Sequence, residues 1–404
     1  MSIDLEALYI DLHRHPELSF QETRTAGIAA GHLRDLGLEV EEGIGITGVV
    51  GVLRNGDGPV VWARADMDGL PVEELTGLPY SSTVTGIDPA GNTVPVMHAC
   101  GHDMHVTAMI GAVERLVAER EEWSGTLVVI IQPAEEYGAG SRAMLDDGLL
   151  ERVPRPNIVL GQHVTPLPAG IIGMRPGPQM AAADGITVTL HGRGGHGSRP
   201  HTTIDPVVMA AATVMRLQTI PSREIDPREV GVVTVGSIHA GTKNNIIPAE
   251  ATLELSLRYS TDEMRDKILT GVERIVRAEA AASGAEREPE FRTAHTLPPT
   301  INDPAATARV TAAINRDLGA GTVVDPGMFT GSEDVSWFAR DADVPLVFWF
   351  FGGVAPEAYA AAEASGTVAE DIPTNHSPYY APEIHPTLET GVAAMAIAVR
   401  EFLA

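Results

Sequence analysis

The stretch GTLVVIIQPAEE, residues 125–136, sets a short apolar run directly before two adjacent acids. A continuous apolar run bounded by glycine and proline is typical of a strand buried in a parallel sheet. Because α/β sheets carry their sites at the carboxyl ends of the strands, Glu135 and Glu136 are expected to lie at a site. One carboxylate could bind a metal ion while the other transfers protons, but acids are also common in the first turn of a helix.

Helical and strand-like patterns alternate on both sides of this run. The predicted elements are two helices within residues 4–40 with a break at His15-Pro16, strands at 48–53 and 60–65 separated by a turn at 55–58, and a helix at 105–120. Strands that alternate with helices predict an α/β sheet that has helices on both faces.

A different order of elements begins near Ala182. The predicted elements there are a strand at 185–192, a helix at 205–220, strands at 230–238 and 251–259, a helix at 261–282 and a strand at 289–295. This βαββαβ order is that of a ferredoxin-like α+β sandwich. We therefore predict an α/β domain in two parts, 1–181 and 298–404, interrupted by an inserted domain at 182–297.

The composition narrows the classes of protein to which the chain can belong. At 404 residues it exceeds the usual size of one hydrophobic core, so two domains are expected. A net charge of −26, with 28 basic against 54 acidic residues, offers no basic face for nucleic acid. The sequence contains no run of eighteen apolar residues, so it predicts no membrane span. A single cysteine excludes an internal disulfide. We expect a cytoplasmic protein that binds neither nucleic acid nor membrane.

The densest group of candidate ligands is MHACGHDMH, residues 97–105. In an extended or turning backbone, Cys100 and His102 would point the same way, because side chains alternate with a period of two. A thiolate and an imidazole both suit zinc and related divalent ions, and Gly101 would let the backbone come close. A Cys-x-His pair by itself is also compatible with an ordinary buried core position.

Two more histidines lie at the ends of apolar runs. His163 follows the run 158–162, and His376 lies in TNHSP, residues 374–378. Either histidine alone would more often be structural. With the segments 97–105 and 132–136, these two histidines make four candidate segments. All four fall outside the predicted insert, at places where strands or loops meet. This repetition favours one shared metal site.

The predicted insert carries candidates of its own. GRGGHGS, residues 192–198, is rich in glycine but lacks the lysine and hydroxyl residue that follow in a phosphate loop, which argues against nucleotide binding. The segment 243–248 offers amide donors, and the Arg258 guanidinium suits a carboxylate. Turn chemistry and a surface charge are the simpler explanations of these two features when each is taken alone.

Taken together, these segments resemble the metallo-aminoacylase and carboxypeptidase family of co-catalytic metallopeptidases. The similarity is greatest to the branch of hippurate hydrolases, indoleacetyl-amino-acid hydrolases and bacterial N-acyl-amino-acid amidohydrolases. The matching motifs are HRHPE at 13–17, RADMD at 64–68, MHACGHD at 97–103, QPAEE at 132–136, GGH at 194–196, KNNIIP at 243–248, GSED at 331–334 and NH at 375–376. They extend along nearly the whole chain and are far more specific jointly than singly.

The resemblance implies a two-metal α/β catalytic domain and an inserted domain through which the chain forms a homodimer or a tetramer. It implies that Cys100 bridges two divalent ions as a thiolate. The ligands of one or the other ion would be completed by His102, Glu136, His163 and His376. Zinc, manganese, nickel and cobalt all suit this mixed ligand set.

The resemblance also implies roles for side chains around the ions. Glu135 would be the general base that acts on the bridging water, and Asp68 an acid that orients a ligand. His196 would reach the site of the partner subunit and stabilise the developing oxyanion. Asn245 and Arg258 would hold the substrate carboxylate, by similarity to related carboxypeptidases.

One motif departs from the wider family. Many members carry His-x-Asp where this chain has DMD at 66–68. Asp66 is therefore expected not to be a ligand, and His102 takes over that duty. Tyr137 and Val335 stand where the family would have glycine and an aromatic residue near the acyl pocket, so the identity of the acyl group stays open.

The expected function is the hydrolysis of N-acyl-amino acids to a carboxylate and a free amino acid. A dipeptidase or carboxypeptidase and a deacetylase of N-acetyl-diaminopimelate are the nearest alternatives. A non-catalytic dimer that binds acyl-amino acids is a different class, and the presence of Glu135 argues against it.

Overall fold

The computed structural model describes residues 2–403 and divides into two compact units. Unit one comprises Met1–Gln179, Ile301–Gly327 and Asp334–Ala404, and unit two comprises Met180–Thr300 and Met328–Glu333. The predicted insert lies within unit two. The sequence does not predict that a segment as late as Met328–Glu333 belongs there. In that segment the Phe329 carbonyl accepts a hydrogen bond from the Ala181 N–H at 2.9 Å.

The helices and strands have the following bounds. The α-helices are α1 (Leu5–Arg14), α2 (Thr23–Asp35), α3 (His102–Ala118), α4 (Gly140–Asp146), α5 (Leu149–Arg152), α6 (Pro206–Leu217), α7 (Asp262–Ala282), α8 (Pro304–Leu318), α9 (Ser336–Ala342), α10 (Pro356–Ser365), α11 (Val368–Asp371) and α12 (Thr387–Leu403). The strands are β1 (Glu39–Ile44), β2 (Gly48–Asn55), β3 (Val60–Asp66), β4 (Thr85–Ile87), β5 (Thr93–Pro95), β6 (Gly125–Gln132), β7 (Ile158–Pro168), β8 (Ile172–Gly173), β9 (Gly177–Met180), β10 (Ala182–His191), β11 (Gly195–His196), β12 (Gly231–Ala240), β13 (Ile246–Ile247), β14 (Glu250–Tyr259), β15 (Glu290–Leu297), β16 (Thr300–Asn302), β17 (Val323–Val324) and β18 (Leu346–Val354). Of the helices between residues 2 and 403, none is both long and apolar enough to cross a membrane.

Unit one is built on a mixed eight-stranded sheet with the order β1-β2-β6-β3-β7-β18-β8-β17. β3 runs parallel to both β6 and β7, and β7 runs parallel to β18, whereas β1, β2 and β6 pair antiparallel. All eight residues of β6 are buried, as expected of an apolar strand with a neighbour on each side. The predicted α/β fold is confirmed.

Helices cover both faces of this sheet. The side chains of Val61, Ala63 and Ala65 on β3 join one buried cluster with those of α3 and α12. On the opposite face, Trp62 packs edge-on against Phe338 of α9, with 6.2 Å between the ring centroids. Successive side chains of a strand point to opposite faces, so β3 contributes to both layers.

Two local details add to the sequence analysis. The segment 55–58 connects β2 to β3, but these strands are not neighbours, because β6 lies between them in the sheet. The helix predicted at 105–120 begins at His102. It begins earlier because Gly101 takes a left-handed conformation, with φ 80°, that ends the preceding turn and serves as the N-cap.

Unit two contains an antiparallel sheet with the order β12-β14-β10-β15, which α6 and α7 contact. Its elements follow one another as strand, helix, strand, strand, helix and strand. Each helix begins at a side chain that accepts a hydrogen bond from its first turn. Asp205 accepts from the Val207 N–H at 2.9 Å, and Thr261 accepts from the Met264 N–H at 3.2 Å. Apolar side chains of β10 and β14 form the core beneath the helices.

Candidate metal centre

The two acids that follow β6 are held by a turn rather than by a helix. β6 ends at Gln132, and Ala134 takes a left-handed conformation with φ 48°. The next two N–H groups, those of Glu135 and Glu136, donate to the Asp68 carboxylate over 3.1 and 3.2 Å. Both acidic side chains therefore project from a fixed backbone, and they do not belong to a solvated helix start.

Asp68 lies two residues beyond β3 and is buried. Besides the two backbone N–H groups, it accepts from Ser19 Oγ at 2.6 Å, and its Oδ1 lies 3.2 Å from His102 Nδ1. Because a carboxylate only accepts, this contact places a proton on Nδ1 of the ring and leaves Nε2 to bind a cation. An acid that orients a histidine in this way is typical of metal sites.

Cys100 and His102 converge for a different reason than the predicted alternation of an extended chain. The left-handed Gly101 turns the backbone, and His102 is the first residue of α3. A Cβ atom at position 101 would lie 2.4 Å from Val164 Cγ1, so a side chain there would collide with β7. The close approach leaves Cys100 Sγ 3.4 Å from His163 Nε2.

His163 lies inside β7, whereas the sequence predicted it at the end of a strand. β7 continues to Pro168 because it pairs with β18 along its length. The His163 Nδ1 donates to the Val164 carbonyl at 2.6 Å, which leaves Nε2 facing Cys100. Burial lowers the pKa of His163 well below its ordinary value, so the ring is neutral and can act as a ligand.

His376 reaches the site from a loop and has a left-handed backbone, with φ 71°. Its Nε2 lies 3.3 Å from Glu136 Oε2. The preceding residue, Asn375, donates from Nδ2 to the carbonyls of Cys100 and Val164, each at 3.2 Å. Strained backbone conformations held by such contacts cluster at functional sites.

Ligand atoms of the predicted residues form three overlapping groups, each within 4.8 Å. The groups are Cys100, His102 and His163; Cys100, Glu136 and His376; and His102, Glu135 and Glu136. Within residues 2–403, His102 Nε2 and Glu136 Oε1 are buried and have no hydrogen-bond partner; they lie 3.8 Å apart. One ion at the usual ligand distance of about 2.1 Å could contact both atoms, so the residues fit a divalent metal.

The local charges also favour a cation. Burial alone would lower the pKa of His102, but the surrounding carboxylates, Asp66 first, outweigh burial and raise the pKa to about 10. Burial raises the pKa of the Cys100 thiol well above its ordinary value, and the charges of Glu136 and Glu135 add to the effect. The negative charge that holds the thiol proton and the second ring proton of His102 would attract a divalent ion, whose binding would release both protons.

A buried chain of polar groups behind the site is not predicted by the sequence analysis. The Arg64 Nη1 donates to Asp66 Oδ2 at 2.8 Å, and Asp66 Oδ1 pairs with His105 Nδ1. The His105 Nε2 accepts from the Val164 N–H at 2.7 Å, next to His163. Asp66 therefore links Arg64 to His105, and its ligand atom also lies within 4.8 Å of those of His102 and His105. An arginine and an acid inside an otherwise apolar strand were the local signal for this chain of polar groups.

A second unpredicted support lies at the start of α3. The buried His13 ring contacts Asp103 Oδ2 through Nδ1 at 2.6 Å and Glu74 Oε1 through Nε2 at 3.1 Å. Burial alone would lower the pKa of His13, but these two acids outweigh burial and raise the pKa to about 9. The resulting ion triad fixes the residue that directly follows His102.

The remaining three predicted site residues belong to unit two. The exposed His196 accepts through Nδ1 from Ser198 N–H at 3.1 Å, which leaves Nε2 as the ring nitrogen that can donate. The carbonyl of Asn245 accepts, at 2.8 Å, from the N–H that follows His196. The Arg258 Nη1 donates to Ser332 Oγ at 2.6 Å.

In unit one, a thiol, three imidazoles and paired carboxylates meet beyond the carboxyl ends of β3 and β6 in a mixed α/β sheet. This combination of fold and site defines a metal-dependent hydrolase. Its similarity to known proteins identifies the family of hydrolases to which the chain belongs.

Residues 62–380 match the sequence model of peptidase family M20/M25/M40. Thermostable carboxypeptidase 1 of Saccharolobus solfataricus is 38% identical over 346 residues, which cover 84% of each protein. The hippurate hydrolase of Campylobacter jejuni is 38% identical over 285 residues, 70% of this chain and 71% of that relative. The crystal structure of YxeP of Bacillus subtilis, described as a dinuclear metal-binding peptidase of family M20, has a TM-score of 0.78 and 30% identity over 98% of both chains.

The chain belongs to peptidase family M20/M25/M40 and is therefore an amide-bond hydrolase. The resemblance that the sequence motifs indicate is confirmed.

Proposed function

We propose that this protein hydrolyses the amide bond of N-acyl-amino acids with the help of two divalent metal ions per subunit. The observation that carries the proposal is the convergence of a thiol, imidazoles and a carboxylate on one point, with the Glu135 carboxylate beside them. The similarity to a hippurate hydrolase supports the substrate class, because hippurate is benzoylglycine.

The overlapping groups of ligand atoms suggest how two ions would be shared. One ion would be held by Cys100, His102 and His163, and the other by Cys100, Glu136 and His376. Cys100 is the residue common to both groups, which supports the bridging role that the family resemblance implies. Zinc, manganese, nickel and cobalt remain the candidate metals.

We propose that Glu135 acts as a general base rather than as a ligand. Its Oε2 lies 4.0 Å from His102 Nε2, and its backbone is fixed on Asp68. When bound, the two ions would polarise the amide carbonyl and lower the pKa of water from about 15.7 to about 7. Glu135 accepts the proton of the attacking water and passes it to the leaving amine. Asp68 holds both Glu135 and the ligand His102 in place.

We also propose that residues 1–181 and 298–404 form the catalytic domain, and that 182–297 form a ferredoxin-like domain through which the chain dimerises. Large apolar side chains on α6 and on the edge strand β12 are each between 41% and 74% exposed: Val207, Val208, Met215, Val232 and Ile238. An exposed apolar patch beside an unpaired strand edge favours association. A second copy of the chain would cover it.

His196→Ala is expected to lower kcat by about 100- to 1,000-fold, the usual effect of losing one oxyanion donor. Both ions should stay bound. If His196 acts in the partner's site, mixing unfolded His196→Ala and Glu135→Gln chains and refolding them should restore about a quarter of wild-type activity, since half of the dimers would carry one complete site. The matched control mixes His196→Ala with a His196→Ala/Glu135→Gln chain, which cannot form one. Absence of recovery would rule out a shared site.

Asn245 and Arg258 are proposed to bind the substrate carboxylate. A guanidinium oriented by Ser332 presents a planar pair of donors that matches a carboxylate.

A cytoplasmic location remains our prediction.

The experiment that tests the proposed function is a substrate panel with the metal-free protein reloaded with each candidate metal in turn. We expect amino acid release from benzoylglycine and aliphatic N-acyl-amino acids. N-acetyl-diaminopimelate and unblocked dipeptides should be turned over at least tenfold less efficiently, a difference that pocket contacts readily supply.

A preference for dipeptides would instead favour the carboxypeptidase alternative, which the similarity to thermostable carboxypeptidase 1 supports. Binding of N-acyl-amino acids without release of any product would favour the non-catalytic dimer.

A further inference from the structure

Three successive backbone N–H groups at the end of β6 are held by carboxylates from distant parts of the chain. Asp68 holds those of Glu135 and Glu136, as described above. The first of the three, that of Ala134, donates to Glu22 Oε1 at 2.8 Å. We propose that Glu22 is a positioning residue that holds Ala134 in its left-handed conformation and thereby aims Glu135; the inference rests on the proposed role of Glu135 as the base.

The conformation of Ala134 needs an external support. Left-handed backbone is disfavoured for residues with a Cβ atom, and alanine has no polar side chain to stabilise it locally. Ala134 is buried with φ 48° and directly precedes Glu135. A return of Ala134 to an ordinary conformation would turn the peptide group and move the Glu135 carboxylate. The hydrogen bond from Ala134 to Glu22 opposes that change.

Glu22 is itself rigidly placed. The residue is fully buried, and its second oxygen, Oε2, accepts from Thr47 Oγ1 at 2.6 Å. Both carboxylate oxygens of Glu22 therefore accept hydrogen bonds from residues that are outside the groups of metal ligands. Three residues earlier, Ser19 Oγ donates to Asp68 at 2.6 Å. The segment 19–22 therefore supports both carboxylates that hold the turn after β6.

The charge of Glu22 is not needed for this role. Burial and the nearby Asp68 carboxylate raise the pKa of Glu22 to about 7, so neutral and ionised forms coexist at neutral pH. In either form an oxygen can accept from the Ala134 N–H. Glutamine can do the same through its amide oxygen and can donate to Thr47 through its amide nitrogen. Glu22→Gln is therefore the conservative variant, and Glu22→Leu removes the contact at similar size.

The test compares Glu22→Leu, Glu22→Gln and Glu22→Leu/Ala134→Gly, with the substrate and metal that the panel selects. We expect Glu22→Leu to lower kcat by about 10- to 100-fold, the effect of a displacement near 1 Å, with KM changed less than about threefold. Both ions should be retained. Glu22→Gln should keep at least about half of the wild-type kcat. Glycine at 134 should restore part of the loss, because it accepts positive φ without steric cost.

Glu17→Leu is the matched control. Its carboxylate lies two residues before the segment 19–22 and accepts from the N–H groups of Arg24 and Thr25 at 3.0 and 2.8 Å, away from the turn. It should cost thermal stability without the selective loss of kcat. If Glu22→Leu does not fold, Thr47→Val removes the second anchor of Glu22 and should give a smaller loss of kcat of the same kind.

A crystal structure of Glu22→Leu separates this inference from the proposed function. Ala134 should leave positive φ, whether or not any amide substrate is found for the wild-type protein. The inference is overturned if Ala134 keeps φ near 48° in that variant, if kcat is unchanged, if lost metal accounts for the lost activity, or if Glu22→Gln is as impaired as Glu22→Leu. Failure of the wild-type protein on every substrate would overturn only the proposed function.

Discussion

Replacing Glu135 with glutamine is expected to lower kcat by about 100- to 10,000-fold while both metal ions stay bound. Glutamine has the size of glutamate, keeps the backbone hydrogen bond to Asp68 and cannot accept the proton of water. The two groups that we propose to hold the ions both contain Cys100 and neither contains Glu135, so the ions should stay bound. The measurement pairs steady-state kinetics on benzoylglycine with metal analysis of the purified variant.

Glu136→Gln is the matched control, since it makes the same chemical change at the adjacent position. Glu136 Oε2 lies 3.3 Å from His376 Nε2, and its other oxygen is buried without a hydrogen-bond partner in the described chain. We expect this variant to lose activity through the loss of metal, and added metal should restore part of it. Full activity of Glu135→Gln, or recovery of that variant by added metal, would contradict the assignment of Glu135 as the base.

The parts of the fold that follow from local pattern could be predicted from the sequence. The amphipathic helix predicted at 261–282 is α7, Asp262–Ala282, because the capping residue and the apolar spacing both lie within that stretch. The order of the strands in the sheet could not be predicted from the sequence. β6 separates β2 from β3 through pairing over tens of residues, which no local pattern records.

The candidate site divides in the same way. Residue types and their spacing suggested Cys100 and His102, but the left-handed Gly101, rather than side-chain alternation, brings them together. Glu22 and Ala134 are 112 positions apart and are joined by one hydrogen bond. Glu22 lies in no segment that the sequence marks as a ligand site, and alanine has no ligand atom, so only the folded chain reveals that they act together.

Cys100→Ala is expected to abolish activity and to reduce the bound metal from two ions per subunit to fewer than one. Cys100 belongs to two groups of ligand atoms, whereas His163 and His376 belong to one each. If Cys100 is shared, removing this soft donor weakens both positions, and the loss of bound metal should also lower thermal stability by mass action. Elemental analysis, and cobalt titration followed by the sulfur-to-cobalt absorption band, measure the change.

The comparison with His163→Ala and His376→Ala tests whether the thiolate is shared. Each histidine contributes to a different group, so each variant should keep one ion and lose the other. The cobalt–sulfur band should persist in both histidine variants, since Cys100 still binds the remaining ion. Two tightly held ions in Cys100→Ala, or a band that disappears with only one of the two histidines, would assign Cys100 to a single ion. In that case the link between the two positions would have to come from Glu136, whose two oxygens face His102 and His376 separately.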